Sequence, residues 1–234
     1  VPIDSVPDHV AAAVPSIDDA HARWRDRLGG GDWAGDGPYM GFRNHQYVFR
    51  QGAVLELLEP ADAAPFVQRF LDRFGASVHH VTLKVPDLPD ALDTLDAAGL
   101  GTVDVDLADP RWQEAFVRPS VVGGMIVQVA ASTLSHDDWT QLTGFTPTAA
   151  ADDGAALVGP LLQHPDLGRA REVWHALGGR VEDVADDAIE VGWPGSTLTV
   201  RVRRGDPAGP VGLRFADATA LPADPALGPA VLPA

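Results

Sequence analysis

Apolar and polar positions along this chain change period in the same order twice. His9 to Val14 is a short run of aliphatic residues that predicts a strand. Ser16 or Asp18 then caps a helix reaching about Leu28, because Ala20, Trp24 and Leu28 recur every four residues on one face. Gly29-Gly30-Gly31 ends it. Tyr47–Arg50 and Val54–Leu58 read as strands around Gln51-Gly52-Ala53, a hairpin. The second copy starts with a strand over Val81–Val85 and a helix over Leu88–Ala98, with Leu88, Leu92 and Leu95 in one stripe and Gly99 behind it. Strands over Ala115–Arg118 and Met125–Val129 close it around Val122-Gly123-Gly124. Pro65–Phe74 predicts a connecting helix between the copies.

A weaker third unit follows. Ser135-His136-Asp137-Asp138 has the form of a capping box ahead of Trp139 and Leu142, and Thr146–Ala156 is small and polar, as a linker is. Leu157–Leu162 predicts a strand, Arg169–Leu177 a helix stopped by Gly178-Gly179, and Ala188–Val191 and Thr197–Val202 strands around Pro194-Gly195. The expected boundaries are a first module at about 5–60, a second at about 77–131, helix and linker over 132–154, the third module over 155–216, and a Pro- and Ala-rich tail over 217–234, loose from Pro222 onward.

Charge narrows the range of partners. There are 33 acidic and 17 basic residues, a formal net charge of −16. Phosphate backbones and anionic bilayers need the opposite sign, so neither nucleic acid nor a membrane surface is an expected partner. The absence of cysteine excludes disulfides, thiolate nucleophiles and Cys-ligated zinc. Any metal site therefore uses imidazole, carboxylate and amide ligands. No apolar run reaches the roughly 20 residues of a membrane span, and no basic, apolar leader opens the chain, so a cytoplasmic protein is expected.

The repeat preserves chemistry as well as hydrophobicity. His9 and His80 each open an apolar run, with Val-Pro five and six residues later. Each copy closes on a strand with one polar side chain among aliphatics: Val54-Leu55-Glu56-Leu57-Leu58 and Met125-Ile126-Val127-Gln128-Val129. The separation is 47 residues (9 to 56) and 48 residues (80 to 128). In the third unit Gly159 stands at the His position and about Thr199 at the closing polar position. Retained potential ligands in two copies point to one site built from both.

These features resemble the vicinal oxygen chelate superfamily, which includes glyoxalase I, methylmalonyl-CoA epimerase, extradiol dioxygenases and bleomycin-binding proteins. The strings Leu55-Glu56-Leu57-Leu58-Glu59-Pro60, His79-His80-Val81 and Phe116-Val117-Arg118-Pro119, with Gly123-Gly124-Met125-Ile126-Val127-Gln128, are most similar to the glyoxalase I and epimerase branch. The resemblance implies an α+β fold of tandem βαβββ modules paired into a cupped mixed sheet around a metal, with a degenerate third module. It implies His9, Glu56, His80 and Gln128 as ligands of one divalent ion (Ni, Co, Mn, Zn or Fe(II)); the two-fold symmetry of the repeat, which gives Glu56 and Gln128 equivalent places, makes Glu56 the expected ligand and catalytic base with the roles mirrored. Two neutral imidazoles, one carboxylate and one amide leave such a site at net charge +1, with room for substrate oxygens. Glyoxalase I and the epimerase carry a carboxylate where this chain has Gln128.

The expected activity is metal-dependent isomerisation, epimerisation or a related enolate-type step on a small substrate with vicinal oxygens. One alternative is a bleomycin-resistance-like protein that sequesters a small, cationic ligand, which the acidic surface suits. Another is an Fe(II)-dependent ring-cleaving dioxygenase. A homodimer is a further expectation. His45, Phe116 and Arg118 are candidate pocket residues, and Arg50 with Arg118 a candidate anion clamp. His79 alternates with His80, faces the opposite side of its strand, and is expected to be structural or exposed. His21 and His175 lie on helices and are expected at the surface, and Glu59 is expected not to ligate.

Overall fold

The predicted runs become regular elements in a computed structural model, which describes residues 1–39, 42–61 and 65–234. In chain order they are β1 (Val6–Ala13), α1 (Ile17–His21), a π-helical turn (Ala22–Arg27), β2 (Gly31–Tyr39), β3 (Phe42–Val48), β4 (Val54–Pro60) and α2 (Pro65–Phe74). Then come β5 (Val78–Lys84), α3 (Leu88–Ala97), β6 (Thr102–Asp106), β7 (Gln113–Val117), α4 (Pro119–Val122), β8 (Ile126–Ala131) and α5 (His136–Thr143). The last are β9 (Ala156–His164), α6 (Leu167–Ala176), β10 (Arg180–Ala185), β11 (Ala188–Gly192), β12 (Val200–Arg204), β13 (Gly209–Ala216) and β14 (Val231–Pro233). Strand, helix and three strands recur three times, and the strands fall into two mixed sheets. The fold is α+β. The chain divides into two compact units, one comprising His9–His79, Trp139–Pro160 and Val211–Ala234, the other Val1–Asp8, His80–Asp138 and Leu161–Pro210.

In the unit that starts at His9, strand order is β2-β3-β4-β1, with β1 parallel to β4 and the other pairs antiparallel. The parallel pair needs a crossover, which α1 and its π-helical turn supply. Ser16 caps α1 by accepting from the backbone N–H of Asp19. Glu59 Oε2 accepts from the Ile17 N–H at 2.7 Å and anchors the same end. Ala11, Ala13, Leu58 and Val67 form a core against which Phe42, Phe70 and Leu71 pack. Trp24 is wholly buried and lies against Phe215, which also meets Phe49. Burying an aromatic of this size contributes roughly 3 kcal/mol.

The C-terminal segment is not loose. Arg23, itself buried, donates to the carbonyls of Pro222, Gly228 and Pro229, and Trp24 Nε1 donates to Leu227 O at 2.8 Å. β14 pairs parallel with β13. Gly228 has φ +116°, and a Cβ there would stand 3.0 Å from Trp24 Cζ2, so the close approach requires glycine. Pro- and Ala-rich composition hides this packing because the bonds use backbone carbonyls, which every residue carries.

The other unit contains two similar modules. Its strand orders are β5-β8-β7-β6 and β10-β11-β12-β9. Asp87 caps α3 and Asp166 caps α6, each accepting from the N–H three residues on. Ser135 and Asp138 form the expected capping box at α5, each binding the other's backbone N–H. Ser5 Oγ donates to Leu177 O and accepts from Trp193 Nε1, tying the N-terminal residues to the third module.

The sequence reading passes over β2, β6 and β10. Each lies at the outer end of its strand run. β6 and β10 are mostly exposed and β2 is Gly-rich, so the apolar alternation that reveals a half-buried strand is missing.

Candidate metal centre

Backbone register shows how closely the copies correspond. In the first module Ala11, two residues after His9, pairs with Glu56. In the second, Thr82, two residues after His80, pairs with Gln128. In the third, Leu161, two residues after Gly159, pairs with Arg201. The register therefore puts Arg201, not Thr199, at the position of Glu56 and Gln128. The sequence offset misleads because the equivalent position in the third module comes two residues later than simple counting assumes.

The structure brings His9 and Glu56 together. Both are buried, and His9 Nε2 lies 3.3 Å from Glu56 Oε2. Two ligands about 2.1 Å from one ion at angles of roughly 90–109° stand about 3.0–3.4 Å apart, so this pair has the spacing of two donors to one cation. The other oxygen, Glu56 Oε1, accepts from Asn44 Nδ2 at 2.9 Å and more weakly from Gln46 Nε2 at 3.4 Å. Both amides come from β3, which pairs antiparallel with β4. They hold one carboxylate oxygen and leave the other facing the imidazole.

His80 and Gln128 are buried on the paired strands β5 and β8. Gln128 Oε1 accepts from the Thr82 hydroxyl at 2.5 Å, and its Nε2 donates to Glu114 Oε2 at 2.6 Å. The same Glu114 oxygen accepts from Trp112 Nε1 at 2.8 Å. An amide oxygen has two lone pairs, so the Thr82 bond orients Gln128 and still leaves one acceptor position.

Glu114 escapes the sequence reading. It pairs with Ala130, two residues after Gln128, just as Asn44 pairs with Leu58, two residues after Glu56. Asn44 and Glu114 are thus equivalent, and the two copies hold the same amide–carboxylate contact with the partners exchanged. Counting 14 residues back from Gln128 and 12 back from Glu56 locates them, but only with the hairpin registers known. In the third module Arg201 Nε donates to Glu190 Oε2 at 2.6 Å, and Thr199 bonds the same carboxylate. A cation bound to its own carboxylate fills the place of a ligand.

The remaining candidates separate. His79 is buried in a structural position, with its ring against Phe70 (centroids 4.6 Å apart) and Phe66 of α2. Burial pushes its pKa down to about 4, opposed by the nearby Glu56 charge. Glu59 binds Ile17 and Arg43, as a structural carboxylate. Arg50 donates to Gly154 O and pairs with Asp217, so it holds the fold together instead of clamping an anion. Arg118 is exposed at the start of α4, and Phe116 lies half-buried opposite Gln128. His45 is buried with Nε2 2.9 Å from Asp32 Oδ1. His21 is not a free surface residue: it meets the rings of His45 and Tyr47. Helical position alone conceals this, because the contacts come from β2 and β3.

Among the described residues, His21, Asp32 and His45 form one set of side chains that could hold a metal ion, and His9 and Glu56 bring two such side chains together in the same unit. Among the described residues, no helix is long and apolar enough to cross a membrane.

Residues 8–116 match the family model of the Glyoxalase/Bleomycin resistance protein/Dioxygenase superfamily. An ethylmalonyl-CoA/methylmalonyl-CoA epimerase of Cereibacter sphaeroides is 29% identical over 127 residues, covering 52% of this chain and 94% of the epimerase. A hypothetical protein from Staphylococcus aureus has a similar fold, with a TM-score of 0.67 at 11% identity over 96% of this chain and 97% of that one. The Mn(II)-bound glyoxalase from Novosphingobium aromaticivorans gives a TM-score of 0.57 at 13% identity, over 89% of this chain and 64% of that one. Imidazole, carboxylate and amide side chains recur at the same register in the first two of the three βαβββ modules, in agreement with the likeness of residues 8–116 to the glyoxalase/bleomycin resistance/dioxygenase superfamily.

Proposed function

We propose that this chain is a metal-dependent enzyme that moves a proton at a carbon beside a carbonyl, in a small substrate with vicinal oxygens. Isomerisation or epimerisation is the reaction class. The observation that carries this reading is the buried His9–Glu56 pair, with Glu56 Oε2 turned to the imidazole and Oε1 held by Asn44. His9, Glu56 and His80 are the proposed ligands, with Gln128 as the fourth. The ion would supply a Lewis acid for two adjacent substrate oxygens.

Glu56 takes the substrate proton and, in an isomerisation, returns it to the adjacent carbon; an epimerisation needs a second proton donor on the opposite face of the enolate. Asn44 fixes one carboxylate oxygen, so the proton goes to the other. Gln128 is oriented by Thr82 and Glu114, which act as positioning residues. The likeness to the epimerase supports a thioester of a malonic acid as one substrate to try. The net charge of −16 supports a second reading, sequestration of a small cationic ligand, in which no proton is moved.

Deuterium uptake into methylmalonyl-CoA, followed by mass spectrometry in D2O, tests the proposal. Protein loaded with Mn2+, Co2+ or Ni2+ is expected to exchange the proton between the carbonyls, with a loss of ~100-fold or more in Glu56→Gln. Exchange that persists unchanged in Glu56→Gln overturns the role of Glu56. Failure to exchange this thioester and 2-oxoaldehyde–thiol adducts alike, with metal bound, overturns the enzymatic reading and favours sequestration.

A further inference from the structure

We propose that His21, Asp32 and His45 form a second divalent-cation site, suited to Zn2+, Co2+ or Ni2+ and built wholly from residues of the first module. One ring nitrogen of each histidine and one Asp32 carboxylate oxygen lie within 4.8 Å of one another. His45 Nε2 is 2.9 Å from Asp32 Oδ1. Two donors about 2.1 Å from an ion and at right angles to each other stand about 3 Å apart, so these two atoms already have the spacing of adjacent ligands. The chemistry is that of a borderline ion: two imidazoles and one carboxylate, with no soft sulfur.

The surroundings hold the donors in place. His21 is on α1, Asp32 on β2 and His45 on β3, so an ion would join three elements. Tyr47 Oη lies 2.5 Å from His21 Nδ1 and fixes that ring. The His45 ring packs against Tyr47, with centroids 4.7 Å apart, and meets Phe145. Asp32 is pinned by its backbone: its N–H donates to Thr148 Oγ1 and its carbonyl accepts from the Thr148 N–H, both at 2.8 Å. Outer contacts of this kind orient ligands in metal sites. Asp18, 3.9 Å from His21 Nε2, adds negative charge that Arg43 partly balances. Three protein ligands leave a position for water, and a bound ion would link the β2–β3 hairpin and the segment around Thr148 to α1.

Metal content of tag-free protein separates this site from the one proposed at His9 and Glu56. The chain is stripped with chelator, reloaded with Zn2+ and dialysed, and zinc per chain is read by mass spectrometry. His9→Ala is expected to keep one zinc, and His9→Ala with Asp32→Asn to keep none. Asp32→Asn retains the backbone bonds to Thr148, and the half-buried His21→Gln serves as a second variant should Asp32→Asn lower the amount of folded protein seen by circular dichroism. Reloading with Co2+ gives an independent reading, since its visible absorption reports imidazole and carboxylate ligands. A His9→Ala protein that retains no zinc overturns the second site while leaving the first untouched. So does zinc retained equally with and without Asp32 and His21.

Discussion

The Thr82 hydroxyl donates to Gln128 Oε1 at 2.5 Å, across strands that pair these two residues directly. The same register in the first module puts Ala11 opposite Glu56. Alanine has no hydroxyl to donate, and the Glu56 carboxylate instead meets Asn44 of β3 and His9 of β1. Three exchanges between the modules, Thr82 for Ala11, Gln128 for Glu56 and Glu114 for Asn44, separate an amide held in a chain of hydrogen bonds from a carboxylate turned to an imidazole.

That contrast predicts different costs for removing each contact. Thr82→Val keeps shape and burial but leaves the Gln128 oxygen one partner short. Stability is expected to fall by about 1–3 kcal/mol, read from urea unfolding. A change below the error of that measurement would show that the amide is satisfied in another way.

Metal affinity should rank the first-module variants. Glu56→Gln keeps a coordinating oxygen, whereas His9→Ala removes a donor. Calorimetric titration with Mn2+ or Zn2+ is expected to show the larger loss in His9→Ala. The opposite order would remove His9 from the proposed ligand set.

The buried His79 sets a pH dependence. Its folded pKa of about 4 lies below the ordinary 6.5. The unfolded chain therefore takes up a proton that the folded chain refuses as pH falls below about 6.5. The contribution of neutral His79 is complete above that pH and is lost progressively toward pH 4, by about 3 kcal/mol in all. In His79→Leu, the drop in unfolding free energy between pH 6.5 and 4 is expected to shrink by an amount of this order. Equal slopes in the two proteins would mean that the ring is reached by water.

The C-terminal segment should be structural. Arg23→Ala leaves the carbonyls of Pro222, Gly228 and Pro229 without their buried donor. The expected loss is about 3 kcal/mol, and deletion of residues 222–234 should cost at least as much, since it also uncovers Trp24. Retention of the wild-type melting temperature by the deletion variant would contradict this.

The third module should hold no metal. Arg201 and Glu190 occupy the ligand and hairpin positions and satisfy each other. Substituting Arg201→Ala is expected to leave metal content unchanged. A decrease would mean that this module contributes to an ion site.

The sequence by itself determined the repeat and the three helices that open the modules, and it singled out His9, Glu56, His80 and Gln128 as candidates, because local signals carry all of these. Caps such as Asp87 and Asp166 act within one turn, apolar periodicity follows directly from strand and helix geometry, and a repeated polar residue among aliphatics stands out wherever the strand lies. Tertiary structure alone decided what those residues touch. Glu114 and Asn44 became equivalent only through hairpin registers, and Arg201 replaced Thr199 in the third module because pairing, not counting, sets which residues face each other. His21 and His45 met through strands whose exposed or glycine-rich pattern left no periodic trace. The tail was held through carbonyl groups common to every residue. Side-chain pairing at long separation depends on register and packing, and neither is written in local composition.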